Sequence, residues 1–142
     1  MIFENMLKDQ LIKKQSPDLE QIKSQLKRAR KDLLTAEAMV PIDQTWSYTI
    51  AYHAIIRAGR ALMFSHGYLP TTKNSHKTIM EFLGHILGDE YHDIMLRFNR
   101  MRRKRHNFIY DSQNHTTVSE AESAIKTARD LIDKVTNLIS IK

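Results

Sequence analysis

One segment of the chain, residues 46–64, is apolar on nearly every side of a helix and restricts the fold most strongly. It reads "WSYTIAYHAIIRAGRALMF". A helix with so little polar surface is stable only when other helices surround it. Asp43 can cap this helix at its start, and Gly67 can stop it just after His66. We therefore expect a bundle in which this helix is central.

Amphipathic segments before and after this helix can supply its neighbours. The first follows Ser16, a candidate N-cap, and Pro17 in the first turn, and it ends at Pro41. Its apolar residues recur at three- and four-residue steps: Leu19, Ile22, Leu26, Ala29, Leu33, Ala36 and Val40. A shorter helix is predicted from a cap at Ser75 to an end at Gly88.

Two further helices complete the pattern. Asp89 begins a fourth helix with apolar residues at Tyr91, Ile94, Phe98, Met101 and Phe108. A fifth begins at a capping box of Ser119 and Glu122. No segment shows the strict alternation of a strand. The sequence predicts an all-α antiparallel bundle of four long helices plus one short helix over residues 16–142, preceded by a loosely attached arm or short helix over residues 1–15.

The composition narrows the classes of function. The chain has no cysteine, which excludes disulfides, thiolate metal sites and cysteine nucleophiles and fits a cytoplasmic location. No apolar run reaches the roughly 18 residues of a membrane span, so we expect no membrane association. The formal net charge is +6, and the six cations of residues 97–106 account for all of it. Basicity this local predicts either a specific anionic partner or a solvated helix face.

Within this basic segment, position 105 should be apolar but holds an arginine. Because burying an unpaired guanidinium is costly, Arg105 must reach solvent, pair with an acid, or face a cavity or an interface. Arg102, His106 and Tyr110 follow one another at four-residue steps on the adjoining side of the helix. An arginine, an imidazole and a phenol together suit phosphodiester chemistry. The alternative is that Arg102 and Arg105 pair with acids of neighbouring helices, while Tyr110 caps the core.

Other cations can contribute to the same surface. The residues predicted to contact nucleic acid are Arg100, Arg102, Arg103, Lys104, Arg57 and Arg60. Arg57 and Arg60 share a stripe of the central helix with His53. The alternative for this stripe is pairing with acids of the first helix such as Asp32 or Glu37.

The histidines give no indication of a metal site. A zinc site needs three or four converging ligands, and no HExxH-like pair is present. His66, His76, His85, His92 and His115 lie near predicted helix ends. We expect these histidines to have structural roles, with no metal and no cofactor.

Three stretches resemble the HEPN domain family (higher eukaryotes and prokaryotes nucleotide-binding), over roughly residues 17–139. They are "AYHAIIRAGRALMFSHGYLP" (51–70), "SHKTIMEFL" (75–83) and "RMRRKRHNFIYD" (100–111). The resemblance rests on the order and spacing of these stretches within a five-helix pattern. It implies an α-helical bundle and, as in many members, a metal-independent RNA endonuclease.

The catalytic signature of such members is an arginine, often followed by a polar residue, with a histidine four to six residues after the arginine. Two registers of this signature fit the chain. Arg100 and His106 match the spacing, but a methionine follows the arginine. Arg105 is followed by the polar His106, and Tyr110 then stands at the histidine position. We favour the second register because it agrees with the anomaly at position 105 and resembles a branch of the family that ends in tyrosine.

The resemblance implies a reaction and partners. The 2′-hydroxyl of RNA would attack the adjacent phosphate, Arg105 would hold that phosphate, and His106 or Tyr110 would move protons. Two motifs would line one cleft of a homodimer. The protein would be a ribonuclease, plausibly the toxin of a toxin–antitoxin pair with a nucleotidyltransferase-type antitoxin. The alternatives are a non-catalytic module that binds nucleotides and partners a separate minimal nucleotidyltransferase, and a basic bundle that binds nucleic acid electrostatically.

Overall fold

A computed structural model describes residues 2–110 and 115–140, excluding the side chains of residues 108–110. The elements in chain order are α1 (Ile2–Lys8), β1 (Ile12–Lys14), α2 (Leu19–Met39), α3 (Gln44–Ser65), β2 (Tyr68–Pro70), α4 (Ser75–Leu87), a 3-10 turn (Asp89–Tyr91), α5 (His92–Tyr110) and α6 (Val118–Ser140). The predicted all-α class is confirmed. No helix within the described ranges is long and apolar enough to cross a membrane.

Helix α3 is the centre of the bundle, as its apolar sequence predicts. It packs against α2, α4, α5 and α6. Tyr52, Ile55 and Leu62 of α3 are almost completely buried. The cap at Asp43 is confirmed, because its carboxylate accepts a hydrogen bond from the backbone N–H of Trp46 at 3.0 Å. Side chains on all sides of α3 therefore contribute to one core.

The first long helix begins two residues later than a cap at Ser16 predicts. Asp18 is the N-cap of α2, and its Oδ1 accepts the backbone N–H groups of Glu20 and Gln21 at 3.0 and 3.3 Å. A carboxylate at this position satisfies two N–H groups that have no partner within the helix, and it also favours the positive end of the helix dipole. The predicted cap at Ser16 is therefore wrong.

The last helix begins at a capping box, but not at the predicted one. Thr117 donates its N–H to the Glu120 carboxylate at 3.0 Å, and Glu120 donates its N–H to the Thr117 hydroxyl at 3.1 Å. This reciprocal pair is the capping-box geometry. The predicted box at Ser119 and Glu122 is wrong, because the same three-residue spacing two positions earlier makes these bonds.

Residues 2–15 pack on the bundle. Met6 and Ile12 are buried in the same core as α3, and the ring of Phe3 stacks on that of Phe82 with centroids 4.4 Å apart. Strands β1 and β2 pair antiparallel. The sequence pattern did not predict these strands, because three residues are too few to show an alternation.

A glycine sets the distance between α3 and α4. A Cβ atom placed on Gly59 would lie only 2.4 Å from Cγ2 of Ile79. Only a residue without a side chain allows the two helices to approach this closely. The contact holds the start of α4 against α3, where His76 meets Tyr52.

Candidate nucleic-acid interface

An open cleft of about 330 Å³ lies between α3, α4 and α5. The charged, aromatic and histidine side chains that line it are Tyr52, His76, Lys77, Arg102, Arg105 and His106. Its other lining residues are Thr72, Asn74 and Ser75, so the described side chains that line it include three cations and no carboxylate. We call it the arginine cleft. Its positive charge suits an anion such as a phosphate group.

Arg105 faces this cleft. The side chain is half-buried, and its guanidinium carbon lies 5.9 Å from the centre of the Tyr52 ring. This cation–π contact accommodates the charge at an otherwise apolar position. Neither Arg105 nor Arg102 forms an ion pair with a carboxylate among the described side chains. The sequence left solvent, an acid partner, a cavity or an interface open for Arg105, and in the structure its side chain faces a cavity.

Arg102 is held in place by a neutral neighbour. Its Nε and Nη2 atoms donate to Oδ1 of Asn99, one turn earlier in α5, at 3.3 and 3.1 Å. An amide oxygen orients a guanidinium without neutralising it. Arg102 therefore keeps its full charge and is fixed at the wall of the arginine cleft.

Tyr52 supplies the buried end of a polar pair in this cleft. Its side chain is completely buried, and its hydroxyl lies 2.9 Å from Nδ1 of His76. Burial raises the pKa of Tyr52 to about 12, although the charges of Arg105 and Arg102 act in the opposite direction. The phenol therefore keeps its proton at neutral pH.

His76 is the other member of the pair. Burial, followed by the charges of the nearby Arg105, His53, Arg60 and Arg102, lowers its pKa to about 4. The imidazole is therefore neutral at pH 7 while the cleft is empty. A neutral ring has one nitrogen that donates and one that accepts, so His76 can exchange a proton.

The stripe of α3 divides between two environments. Arg57 Nε lies 2.8 Å from Asp32 Oδ2, so the predicted alternative of pairing with an acid of the first long helix is confirmed for Arg57. Arg60 is close enough to His76 to lower its pKa. Burial also lowers the pKa of His53, whose ring lies 6.0 Å from that of His76. Arg60 and His53 thus adjoin the arginine cleft, whereas Arg57 is held by Asp32.

The remaining cations of the basic segment lie on other sides of α5. Lys104 contacts the Glu120 carboxylate and lies 5.5 Å from the centre of the Tyr48 ring. Arg100 is exposed and lines a separate cleft of about 270 Å³ between α5 and α6. Arg103 is exposed as well. The basic segment therefore does not form one surface.

His106 and Tyr110 complete the predicted motif. His106 is exposed and lines the arginine cleft together with Arg102 and Arg105. Tyr110 is the last residue of α5, and its side chain lies outside the described part of the structure. The structure thus brings Arg102, Arg105 and His106 together.

Sequence reasoning missed the pair of Tyr52 and His76 as part of the site. The sequence pattern places His76 among the histidines near helix ends and Tyr52 within the apolar central helix. One signal was available, because a tyrosine in a helix surrounded on all sides must find a buried hydrogen-bond partner. Among the described residues, no group of three or more histidine and acidic side chains is placed to hold a metal ion.

Comparison with known proteins identifies the family. The family model described as the HEPN domain matches residues 22–138. No curated protein and no solved structure matched the chain. The matched range includes α3, α4 and α5, which form the arginine cleft. The chain therefore belongs to the HEPN domain family, whose all-α domains are generally associated with nucleotides or RNA and often dimerise.

Proposed function

We propose that this HEPN domain binds RNA through a phosphate group in the arginine cleft and cleaves it without a metal ion. The observation that carries the proposal is the pair Arg102 and Arg105, which face one cleft without a carboxylate partner among the described side chains. Guanidinium groups bind phosphate oxygens through paired hydrogen bonds. A phosphate would supply the negative charge that the cleft lacks.

The proposed reaction is attack by the 2′-hydroxyl of RNA on the adjacent phosphorus. Arg105 holds the phosphate and stabilises the negative charge that develops on its oxygens. His106 or Tyr110, the other motif residues, moves protons to and from the reacting oxygens. No step in this scheme requires a metal ion.

The assembly proposed for this activity is a homodimer. HEPN domains often pair with their motif helices facing each other, and α5 carries the motif here. Two copies of the arginine cleft would then line one RNA path, related by a two-fold axis. A ribonuclease of this kind can act as the toxin of a toxin–antitoxin pair, with a nucleotidyltransferase-type antitoxin as its partner.

Incubating the purified protein with RNA in the presence of EDTA tests the activity. The informative variants are Arg105→Ala, Arg105→Lys and Tyr110→Phe. The matched control is Arg28→Ala, which removes one charge from an exposed side chain of α2. We expect cleavage to persist under chelation and to fall by about 10²–10³-fold in Arg105→Ala. Arg105→Lys should recover only part of it, because lysine cannot form the paired hydrogen bonds.

Two outcomes would contradict the proposal. If all arginine variants lose RNA binding equally, including the Arg28→Ala control, the protein is a basic bundle that binds electrostatically. If the wild type binds a nucleotidyltransferase tightly but never cleaves RNA, the non-catalytic alternative holds. Size-exclusion chromatography with light scattering tests the dimer separately.

A further inference from the structure

His76 and Tyr52 form a polar pair in the arginine cleft that the proposed RNA cleavage does not use. We infer that His76, positioned by Tyr52, is the base that takes the proton of the 2′-hydroxyl from a substrate bound at Arg102 and Arg105. The inference rests on the proposed function for its chemistry. It places a proton-transfer residue on α4, whereas the predicted motif lies on α5.

The geometry leaves one nitrogen of His76 for a ligand. Nδ1 is 2.9 Å from the Tyr52 hydroxyl, so Nε2 is the ring nitrogen that Tyr52 does not engage. When Nδ1–H donates to the phenol oxygen, Nε2 carries a lone pair and can accept a proton. His76 lines the cleft with Arg105 and Arg102, so a phosphate held by these arginines adjoins its ring.

Tyr52 is a positioning residue in this arrangement. It is completely buried, with its ring 5.8 Å from that of Phe98 and 5.6 Å from that of His53. A hydroxyl held this firmly restricts the orientation of the imidazole. His106, in contrast, is exposed. A fixed and half-buried histidine is the better placed of the two for proton transfer.

The charges around His76 make its protonation depend on the ligand. The titratable and charged groups that face it are Tyr52, His53 and Arg60 from α3, Lys77 from α4, and Arg102, Arg105 and His106 from α5. None of these groups is a carboxylate, so no negative charge among the described residues of the empty cleft favours an imidazolium. A bound phosphate brings negative charge to the same arginines and therefore favours the protonated ring. Phosphate binding and proton uptake by His76 are thus linked.

The reaction balances with His76 as the base. The 2′-oxygen forms a bond to phosphorus, and its proton passes to Nε2 of His76. The bond from phosphorus to the 5′-oxygen breaks, and His106 donates a proton to that oxygen. The products are a 2′,3′-cyclic phosphate and a free 5′-hydroxyl. When the product leaves, His76 releases its proton to solvent and His106 takes one up from solvent, so both residues return to their starting states.

Histidine NMR on the full chain, with inorganic phosphate as the ligand, tests the linkage without requiring activity. We expect saturating phosphate to raise the pKa of His76 by at least about one unit. The shift should be lost in Arg105→Ala and kept in Tyr48→Phe, a matched control because Tyr48 is buried in the same helix but lies outside the arginine cleft. An unchanged His76 pKa in phosphate would overturn the inference.

Kinetics on RNA separate this inference from the proposed function. His76→Gln should lower kcat by about 100-fold or more with little change in KM, and should remove the limb of the pH profile in which the rate falls on acidification. Tyr52→Phe should lower kcat less, and Tyr48→Phe should match the wild type. A wild type that never cleaves RNA overturns the proposed function, while the NMR shift still reports on His76. Cleavage that His76→Gln leaves unchanged overturns the assignment of His76.

Discussion

Gly59→Ala should destabilise the protein, although alanine is the better helix former. The added Cβ would lie 2.4 Å from Cγ2 of Ile79, whereas carbon atoms pack best at about 3.5–4.0 Å. Helix α4 or the Ile79 side chain must therefore move by about 1 Å or more. Both helices belong to the buried core, so this movement disturbs packing on either side.

Two opposing contributions set the magnitude. An extra methyl group in a packed core costs about 1–3 kcal/mol, and replacing glycine by alanine within a helix gains about 1 kcal/mol. We expect a net loss of about 1 kcal/mol in the free energy of unfolding. Gly84→Ala is the matched control, because its Cβ would lie 3.5 Å from Cε of Met95, an ordinary contact. That variant should gain about 0.5–1 kcal/mol.

Urea denaturation followed by far-ultraviolet circular dichroism measures both changes, since the chain is mainly helical. Ile79→Leu removes the Cγ2 methyl group at nearly constant volume and should rescue Gly59→Ala. The double-mutant cycle should show a coupling of about 1 kcal/mol or more. If Gly59→Ala is as stabilising as Gly84→Ala, the close approach of α3 and α4 is wrong, and with it the placement of His76 beside Tyr52.

Three further predictions concern the capping box and the buried phenols. Thr117→Ala should cost about 1 kcal/mol in the same urea assay, because it removes the hydroxyl that caps α6. Hydrogen bonds from Lys104 and Thr117 hold the pKa of Glu120 below its usual value. Its contribution to stability is therefore present above the unfolded pKa and lost as pH falls through the folded one, so wild type and Glu120→Gln should converge in acid. Burial raises the pKa of Tyr48 and Tyr52 to about 12, so ultraviolet titration should show these two phenols ionising late. The stability that the raised pKa contributes is present below the unfolded pKa of tyrosine and should be lost as pH rises through the folded pKa of about 12.

The sequence was sufficient to predict the central helix and to identify Arg105 as a charge at an otherwise apolar position. The central position of α3 follows from the apolar residues on all its sides, and its cap follows from the aspartate at position 43. Both signals are local in the sequence. The arginine in the apolar series of α5 was also visible in the sequence. A cleft was one of the few arrangements open to a charge at such a position, and the structure shows that Arg105 has this one.

Contacts between distant segments could not be predicted in the same way. His76 meets Tyr52 because α4 packs tightly on Gly59, and no periodicity reports the packing of one helix on another. The pairing of Lys104 with Glu120 depends on which side of α5 faces α6. The pairing of β1 with β2 depends on how the chain returns after α3. These features arise from tertiary packing and become visible only with the fold.

The two sides of α5 differ in how their charges are compensated, and this difference bears on function. On the side facing α6, Lys104 forms an ion pair with the Glu120 carboxylate. On the side facing α4, Arg102 and Arg105 have an amide and an aromatic ring, which hold a guanidinium but do not cancel its charge. Uncompensated cations in a half-buried cleft oppose folding, so the folded protein retains a positive field there at the expense of stability. An anionic ligand that enters this cleft replaces the missing acid, and the free energy released on pairing contributes to binding.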